Sequence, residues 1–243
     1  MNLTDADAVL FDLDGVITPT ADVHMAAWSR MFNGLLRERG IAEPYTDADY
    51  FAYVDGKPRY DGVRGFLTSR GIALPEGTPG DPSAAETVCG LGNRKNDVFT
   101  EVLRRDGVRA YPGSLALVDA LEARGTPMAI VSSSRNARPV LDAAGLTHRF
   151  ACVIDGLVAA EEGLPGKPAP DTFLRAAERL GVPAGRAAVF EDAVAGVRAG
   201  AAGGFGLVVG VDRGAGEEAL RDAGAGVVVD DLARLVPGAG RTT

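Results

Sequence analysis

Lysine is nearly missing from this chain. Its 25 basic residues are arginines apart from Lys57, Lys95 and Lys167, which makes each lysine a candidate for a placed charge. Cysteine is rarer still: Cys89 and Cys152 show no metal-ligand spacing and read as free thiols of a cytoplasmic protein. No apolar run approaches the roughly 20 residues of a membrane span. Met1, Asn2, Leu3, Thr4 and Asp5 carry none of the basic, apolar and cleavage pattern of a secretory signal. Positive charge is in deficit, with a net charge of −8, which argues against a nucleic-acid or acidic-membrane partner. Internal repeats are absent. The expectation is a cytoplasmic monomer whose partner is a small molecule. Apolar residues make up 46% of the 243 positions, enough for one large domain or two unequal ones.

The most informative stretch runs from Ala8 to Val16. Ala8, Val9, Leu10 and Phe11 form an apolar run of strand type, and Asp12-Leu13-Asp14-Gly15 ends it. Extended periodicity puts Asp12 and Asp14 on one side of the chain. Two carboxylates so placed repel each other unless a cation sits between them.

Beyond this strand, expected over 8–12, the rhythm is helical. His24, Trp28, Met31, Phe32 and Leu35 share the face of a helix over 21–39, which Gly40 stops. Further helical pieces occupy 46–106, broken by a Gly/Pro-rich loop at 75–82, and no strand pattern occurs between 21 and 106. After Tyr111-Pro112-Gly113 helices and strands alternate. Helices are expected over 114–124, 135–144, 171–180, 193–201 and 217–223. Strands are expected over 128–131, 151–154, 187–190, 205–211 and 226–229. Such alternation argues an α/β core, a parallel sheet with helices on both faces. The expected domains are that core, 1–18 with 107–243, and a helical insert, 19–106.

Ligands of open parallel sheets gather at the carboxyl ends of the strands. Asp12 and Asp14 end the first strand, Ser132 the second, and Glu191-Asp192 the fourth; Lys167 follows the third. Taken singly, Ser132 reads as a helix cap, Lys167 as a solvated loop residue and Glu191-Asp192 as a cap with a dipole-stabilising acid. Their convergence on one sheet edge suits phosphoryl transfer. Hard carboxylate oxygens suit Mg²⁺, a carboxylate can accept a phosphoryl group, and lysine, hydroxyl and backbone N–H groups can hold its oxygens. Ser134, Arg135 and Asn136, at the start of the next helix, form a second candidate anion seat.

These motifs resemble the haloacid dehalogenase-type phosphohydrolase superfamily: Asp12-Leu13-Asp14-Gly15-Val16, then Ser132, Lys167 and Glu191-Asp192. The resemblance implies a Rossmann-like parallel sheet core with an inserted α-helical cap. It implies Asp12 as nucleophile, Asp14 as acid and base, and Ser132, Ser133 and Lys167 on phosphate. The metal set it implies for Mg²⁺ is Asp12, Asp14 through its backbone carbonyl, Glu191 and Asp192. The second acid two residues after the first resembles the phosphatase and mutase branch.

Several further stretches are similar to the β-phosphoglucomutase-like subfamily. They are Gly15-Val16-Ile17-Thr18, His24, Trp28, Gly56-Lys57-Pro58-Arg59, Arg94-Lys95-Asn96-Asp97, Ser132-Ser133-Ser134-Arg135-Asn136 and Gly166-Lys167-Pro168-Ala169-Pro170-Asp171. That resemblance covers about 6–235 and implies interconversion of β-glucose 1-phosphate and glucose 6-phosphate. It puts His24, Trp28, Arg59, Lys95, Ser134, Arg135 and Asn136 on a sugar phosphate, with Arg59 on the phosphate that is not transferred. Pro19 departs from the pattern, which has an acid there, and the 75–82 loop is longer than expected. Two other readings stand beside it. A sugar-phosphate phosphatase would share the core and differ in cap preference. A phospho-accepting receiver would also cluster Asp, Ser/Thr and Lys on a parallel sheet, but the length and the large insert after Asp12 argue against it.

Overall fold

Ala8–Phe11 form β1, and all four side chains are fully buried. A strand with no polar face has to be covered on both sides, which is the environment of an inner strand in a parallel sheet. The computed structural model, which describes residues 1–236, puts β1 there. Positions 237–243 of the expected core domain lie outside the described residues. The other strands are β2 (Met128–Val131), β3 (Cys152–Ile154), β4 (Ala187–Glu191), β5 (Leu207–Val211) and β6 (Val227–Val229). Among the described residues they make one sheet of order β3-β2-β1-β4-β5-β6, every pair parallel. Val9 stands opposite Met128 on one side and Ala188 on the other. The strand order reverses at β1 and β4, and the crevice for a ligand opens at the carboxyl ends of these strands.

Two units divide the chain: Met1–Pro19 with the described residues from Val108 onward, and Thr20–Gly107. In the first, the crossovers that parallel neighbours require include α5 (Pro112–Ala123), α6 (Ala137–Ala144), α7 (Gly156–Glu161), α8 (Asp171–Leu180), α9 (Val194–Ala202) and α10 (Glu217–Asp222). Its core joins Leu10, Val131, Ile154 and Val189 of the sheet to Phe173, Ala176 and Val197 of the helices. Helix α8 spans the residues the sequence predicts. Helix α6 starts two residues later than expected, because Ser134 and Asn136 are spent in turns closed by serine side chains. The sequence did not announce α7. Asp155 starts it by accepting from the Leu157 and Val158 amides at 3.0 and 2.9 Å, whereas Asp155-Gly156 in a sequence reads as a turn.

The second unit holds α1 (Thr20–Glu38), α2 (Asp47–Asp49) running into a π-helical turn (Tyr50–Val54), α3 (Arg59–Ser69) and α4 (Val88–Asp106). Trp28, Phe32, Leu35, Tyr45, Val63, Phe66 and Leu91 fill its core. Phe32 lies 4.1 Å from Phe66 and 5.0 Å from Tyr45 between ring centroids, a packed aromatic cluster. Residues 72–87 carry no helix or strand. Among the described residues no helix is long and apolar enough to cross a membrane.

Candidate active site

After Phe11 the backbone leaves the strand. Asp12 still donates its N–H to Phe190 O at 2.9 Å, and then the chain folds into a tight turn. Ile17 and Thr18 N–H both bond Leu13 O, and Gly15 N–H bonds Thr18 O at 2.7 Å. Three outside groups hold this turn's carbonyls. Arg213 donates to Gly15 O at 2.9 Å, Ser114 Oγ to Val16 O at 2.6 Å, and Tyr111 N–H to Ile17 O at 2.9 Å. The Arg213 guanidinium also lies 4.0 Å over the Tyr111 ring. The carboxylates of Asp12 and Asp14 therefore stand on a braced loop.

Gly15 is required here twice over. Its φ of +85° disfavours any side chain, and a Cβ would lie 1.8 Å from Asp192 Oδ2. Replacing Gly15 by alanine should push Asp192 aside and weaken divalent-cation binding about 10- to 100-fold, the scale set by disturbing a metal site's support. Isothermal titration with Mg²⁺ measures it. An unchanged affinity would separate Asp192 from the cation site.

Lys167 comes from the loop between α7 and α8 and is 3% exposed. Its ammonium spends all three N–H donors: on Asp12 Oδ1 at 2.5 Å, on Val131 O at 2.9 Å and on Glu191 Oε1. The ring of Phe173 on α8 lies beneath it, 4.9 Å away. Glu191 has its other oxygen on the Ala193 amide at 3.0 Å, so both its oxygens are engaged. Gly196 on α9 leaves room for it, since a Cβ there would fall 1.8 Å from Glu191 Oε1.

Burial pushes the Asp12 carboxyl well above its ordinary range; Lys167 pulls it back, and Glu191 and Asp14 push it up again. For Lys167 burial works against the charge, but Asp12 and Glu191 outweigh it and hold the amine above the usual lysine range. One ammonium is thus set against Asp12, Asp14, Glu191 and Asp192. Oxygens of Asp12, Glu191 and Asp192 lie within 4.8 Å of one another. An excess of hard carboxylate oxygen, with no sulfur or imidazole in the set, fits a hard divalent cation.

Ser132 follows β2 and extends the ladder through its N–H to Ile154 O at 3.0 Å. Its Oγ lies 3.4 Å from Asp14 Oδ2 and accepts from Ser134 N–H at 3.0 Å. Ser134 Oγ in turn accepts from Asn136 N–H at 3.1 Å. Ser133 and Arg135 pack over Gly156, where a Cβ would meet Ser133 O at 2.8 Å and Arg135 Cγ at 3.0 Å. The sheet edge thus brings Asp12, Lys167, Glu191 and Asp192 together and sets Asp14 beside Ser132. Ser133, Ser134, Arg135 and Asn136 form the loop that continues from Ser132.

His24, Trp28, Arg59 and Lys95 belong to the helical unit. Lys95 is buried on α4 with its ammonium 5.0 Å from the ring centroids of both Trp28 and Phe99. It also contacts His24 Nδ1. His24 stacks on Phe99 at 4.0 Å. Trp28 stacks on Phe32 at 5.3 Å as part of the core. Arg59 donates to Asn96 Oδ1 at 2.6 Å and to Asn93 Oδ1 at 3.5 Å. Sequence reasoning singled out neither Tyr111, Ser114 nor Arg213. Ser114 is simply the first residue of the helix expected over 114–124, and nothing local marks an arginine whose acceptor lies 198 positions away.

An acid-ended first strand, a lysine bridging it to the fourth strand and a parallel 3-2-1-4-5-6 sheet define a Rossmann-like α/β protein with an aspartate-centred site at the carboxyl edge of its sheet. The family profile described as haloacid dehalogenase-like hydrolase matches residues 6–204, and the chain belongs to that family. It is 53% identical over 238 residues to the β-phosphoglucomutase of Mycobacterium tuberculosis, covering 94% of this chain and 91% of that one. Hexitol phosphatase A of Escherichia coli is 31% identical over 197 residues, covering 80% of this chain and 78% of its own. The crystal structure of β-phosphoglucomutase from Clostridium difficile superposes with a TM-score of 0.76 at 25% identity, covering 95% of this chain and 93% of that one.

Proposed function

We propose that this protein is a Mg²⁺-dependent phosphomutase that interconverts β-D-glucose 1-phosphate and glucose 6-phosphate through an aspartyl-phosphate on Asp12. The observation that carries the reading is the buried Lys167 bridging Asp12 and Glu191, with Asp14 two residues further on. Similarity to the M. tuberculosis β-phosphoglucomutase supports the substrate. In this reading Asp12, the Asp14 backbone carbonyl and Asp192 hold Mg²⁺. Glu191 holds Lys167, and the helical unit serves as the cap. Bound Mg²⁺ would offset the carboxylate excess and share the phosphoryl oxygens.

An Asp12 carboxylate oxygen forms the bond to phosphorus as the bond from phosphorus to the sugar oxygen breaks, and Asp14 gives its proton to that oxygen. The sugar in this half is the glucose bisphosphate, which leaves as glucose 6-phosphate. In the other half the C6 hydroxyl of a β-glucose 1-phosphate attacks the aspartyl-phosphate, the bond from phosphorus to Asp12 breaks, and the hydroxyl proton passes to Asp14, which regenerates the bisphosphate. Ser132 and Ser133 hold the phosphoryl oxygens, joined by Lys167 through the N–H that it gives to Asp12 Oδ1 in the free protein. Arg59 takes the phosphate that stays, and His24, Trp28, Lys95, Ser134, Arg135 and Asn136 contact the sugar phosphate.

The test is product partition. Purified protein given β-glucose 1-phosphate, Mg²⁺ and a trace of glucose bisphosphate should yield glucose 6-phosphate in large excess over inorganic phosphate. A chelator should stop turnover, and Mg²⁺ should restore it. Inorganic phosphate as the main product would replace this reading with a sugar-phosphate phosphatase, which the likeness to hexitol phosphatase A keeps in view.

A further inference from the structure

The structure ties Arg59 to a part of the helical unit that the family motifs do not include. Asn93 on α4 uses its whole side-chain amide. Its Nδ2 donates to Pro79 O at 3.1 Å and to Asp81 O at 2.8 Å. Its Oδ1 accepts from Tyr60 OH at 3.1 Å and from Arg59 at 3.5 Å. Two donors facing carbonyls and an acceptor facing a guanidinium fix the amide in one orientation. The loop that supplies those carbonyls is the 75–82 stretch that is longer than the family pattern. It is folded on itself around Asp81, whose carboxylate accepts from Thr78 Oγ1 at 2.9 Å and Thr87 Oγ1 at 2.6 Å. A neighbouring α4 residue anchors it too, Arg94 donating to Ser83 O at 2.9 Å. A separate observation points to the same junction. A Cβ at Gly92 would meet the Tyr60 ring at 2.8 Å and Arg59 Cδ at 3.1 Å, so α4 carries its smallest residue where the start of α3 crosses it.

We propose that Asn93 is a positioning residue for Arg59. The 75–87 loop fixes the Asn93 amide, and the amide fixes the guanidinium, so the loop sets how well the protein holds the second anion of its substrate. The inference rests on the reading of Arg59 as the contact to the phosphate that is not transferred.

A double-mutant cycle in kcat and KM tests it, with glucose bisphosphate as the two-anion substrate and an aryl monophosphate as the one-anion control. Asn93→Ala should raise KM for the bisphosphate about fivefold, the value of one ordinary hydrogen bond, with kcat within about twofold. Asp81→Ala, which loosens the loop without touching Arg59, should raise the same KM about threefold. Both variants should leave kcat/KM for the aryl phosphate unchanged. In an Arg59→Ala background, Asn93→Ala should add nothing, because its effect passes through Arg59. A merely structural asparagine would still lower activity there, and on both substrates; that result overturns the proposal. If Arg59→Ala raises the bisphosphate KM and Asn93→Ala does not, the inference fails while the role of Arg59 stands. If Arg59→Ala itself leaves that KM unchanged, the reading beneath the inference is the one that fails.

Discussion

Asp12→Asn should give a folded protein with no measurable mutase turnover. Loss of a covalent nucleophile costs on the order of 10⁶-fold in kcat where binding is retained. The amide keeps an acceptor oxygen for Lys167, which donates to Asp12 Oδ1 at 2.5 Å in the native protein. It also removes one carboxylate from a cluster that already has an excess of them. The thermal midpoint in chelator should therefore stay within a few degrees of the wild type, a change of about 1 kcal/mol or less. Steady-state formation of glucose 6-phosphate and the midpoint are both read. A variant that retains a tenth of the native rate would remove Asp12 from the chemistry. One that is inactive because it is unfolded would show in the midpoint.

Lys167→Met should damage both stability and catalysis. Taking away one partner of a buried ion pair leaves the other uncompensated, which costs about 3–5 kcal/mol. Here two carboxylates are left, Asp12 and Glu191, both buried. The midpoint in chelator at neutral pH should fall by on the order of 10 °C. The sign of the pH dependence follows from Asp12. Its folded-state pKa is already raised, with burial the largest cause and Lys167 the main offset, and losing Lys167 raises it further. A carboxyl so raised contributes stability that is fully present below its unfolded value of about 3.9 and is lost as pH climbs through the folded value. The deficit relative to wild type should therefore be largest at neutral pH and shrink on acidification toward pH ~4. Turnover should fall about 10²- to 10³-fold, the scale of one preorganised group on a phosphoryl oxygen. A deficit that grows in acid would mean that Asp12 and Glu191 are not the groups Lys167 neutralises.

The parts of this protein legible in its sequence are those where the signal is local. Four apolar residues before Asp12 announce an inner strand, because a strand covered on both faces has no polar alternation. The 171–180 helix is bounded as expected, since Gly181 stops it and its apolar face repeats at helical spacing. Asp12, Ser132, Lys167 and Glu191-Asp192 were found because each ends a strand or follows one at the same sheet edge. What escaped depends on distance along the chain. Ser114 reaches Val16 across 98 positions, and Arg213 reaches Gly15 across 198. Neither partner is visible from its neighbours, although both brace the turn that carries the two acids. The sequence groups Glu191 with the metal set, and its oxygens do lie within 4.8 Å of those of Asp12 and Asp192; what nothing local tells is that Lys167 and the Ala193 amide also bond them. Helix α6 starts late for a different reason: Ser132 and Ser134 offer the backbone side-chain acceptors that compete with the first helical turn. Asn93 looks like any polar residue on a helix until the loop carbonyls above it are known.

The most direct measurement is the site of the phosphoryl group during turnover. Wild-type protein with Mg²⁺ is mixed with phosphorus-labelled glucose bisphosphate, quenched in acid within a turnover, digested and mapped. The account predicts label on the peptide that contains Asp12, stable to acid and released by hydroxylamine, and no label in Asp12→Asn. Label on the Ser132 peptide, or turnover in a wild type that never carries label, would contradict it.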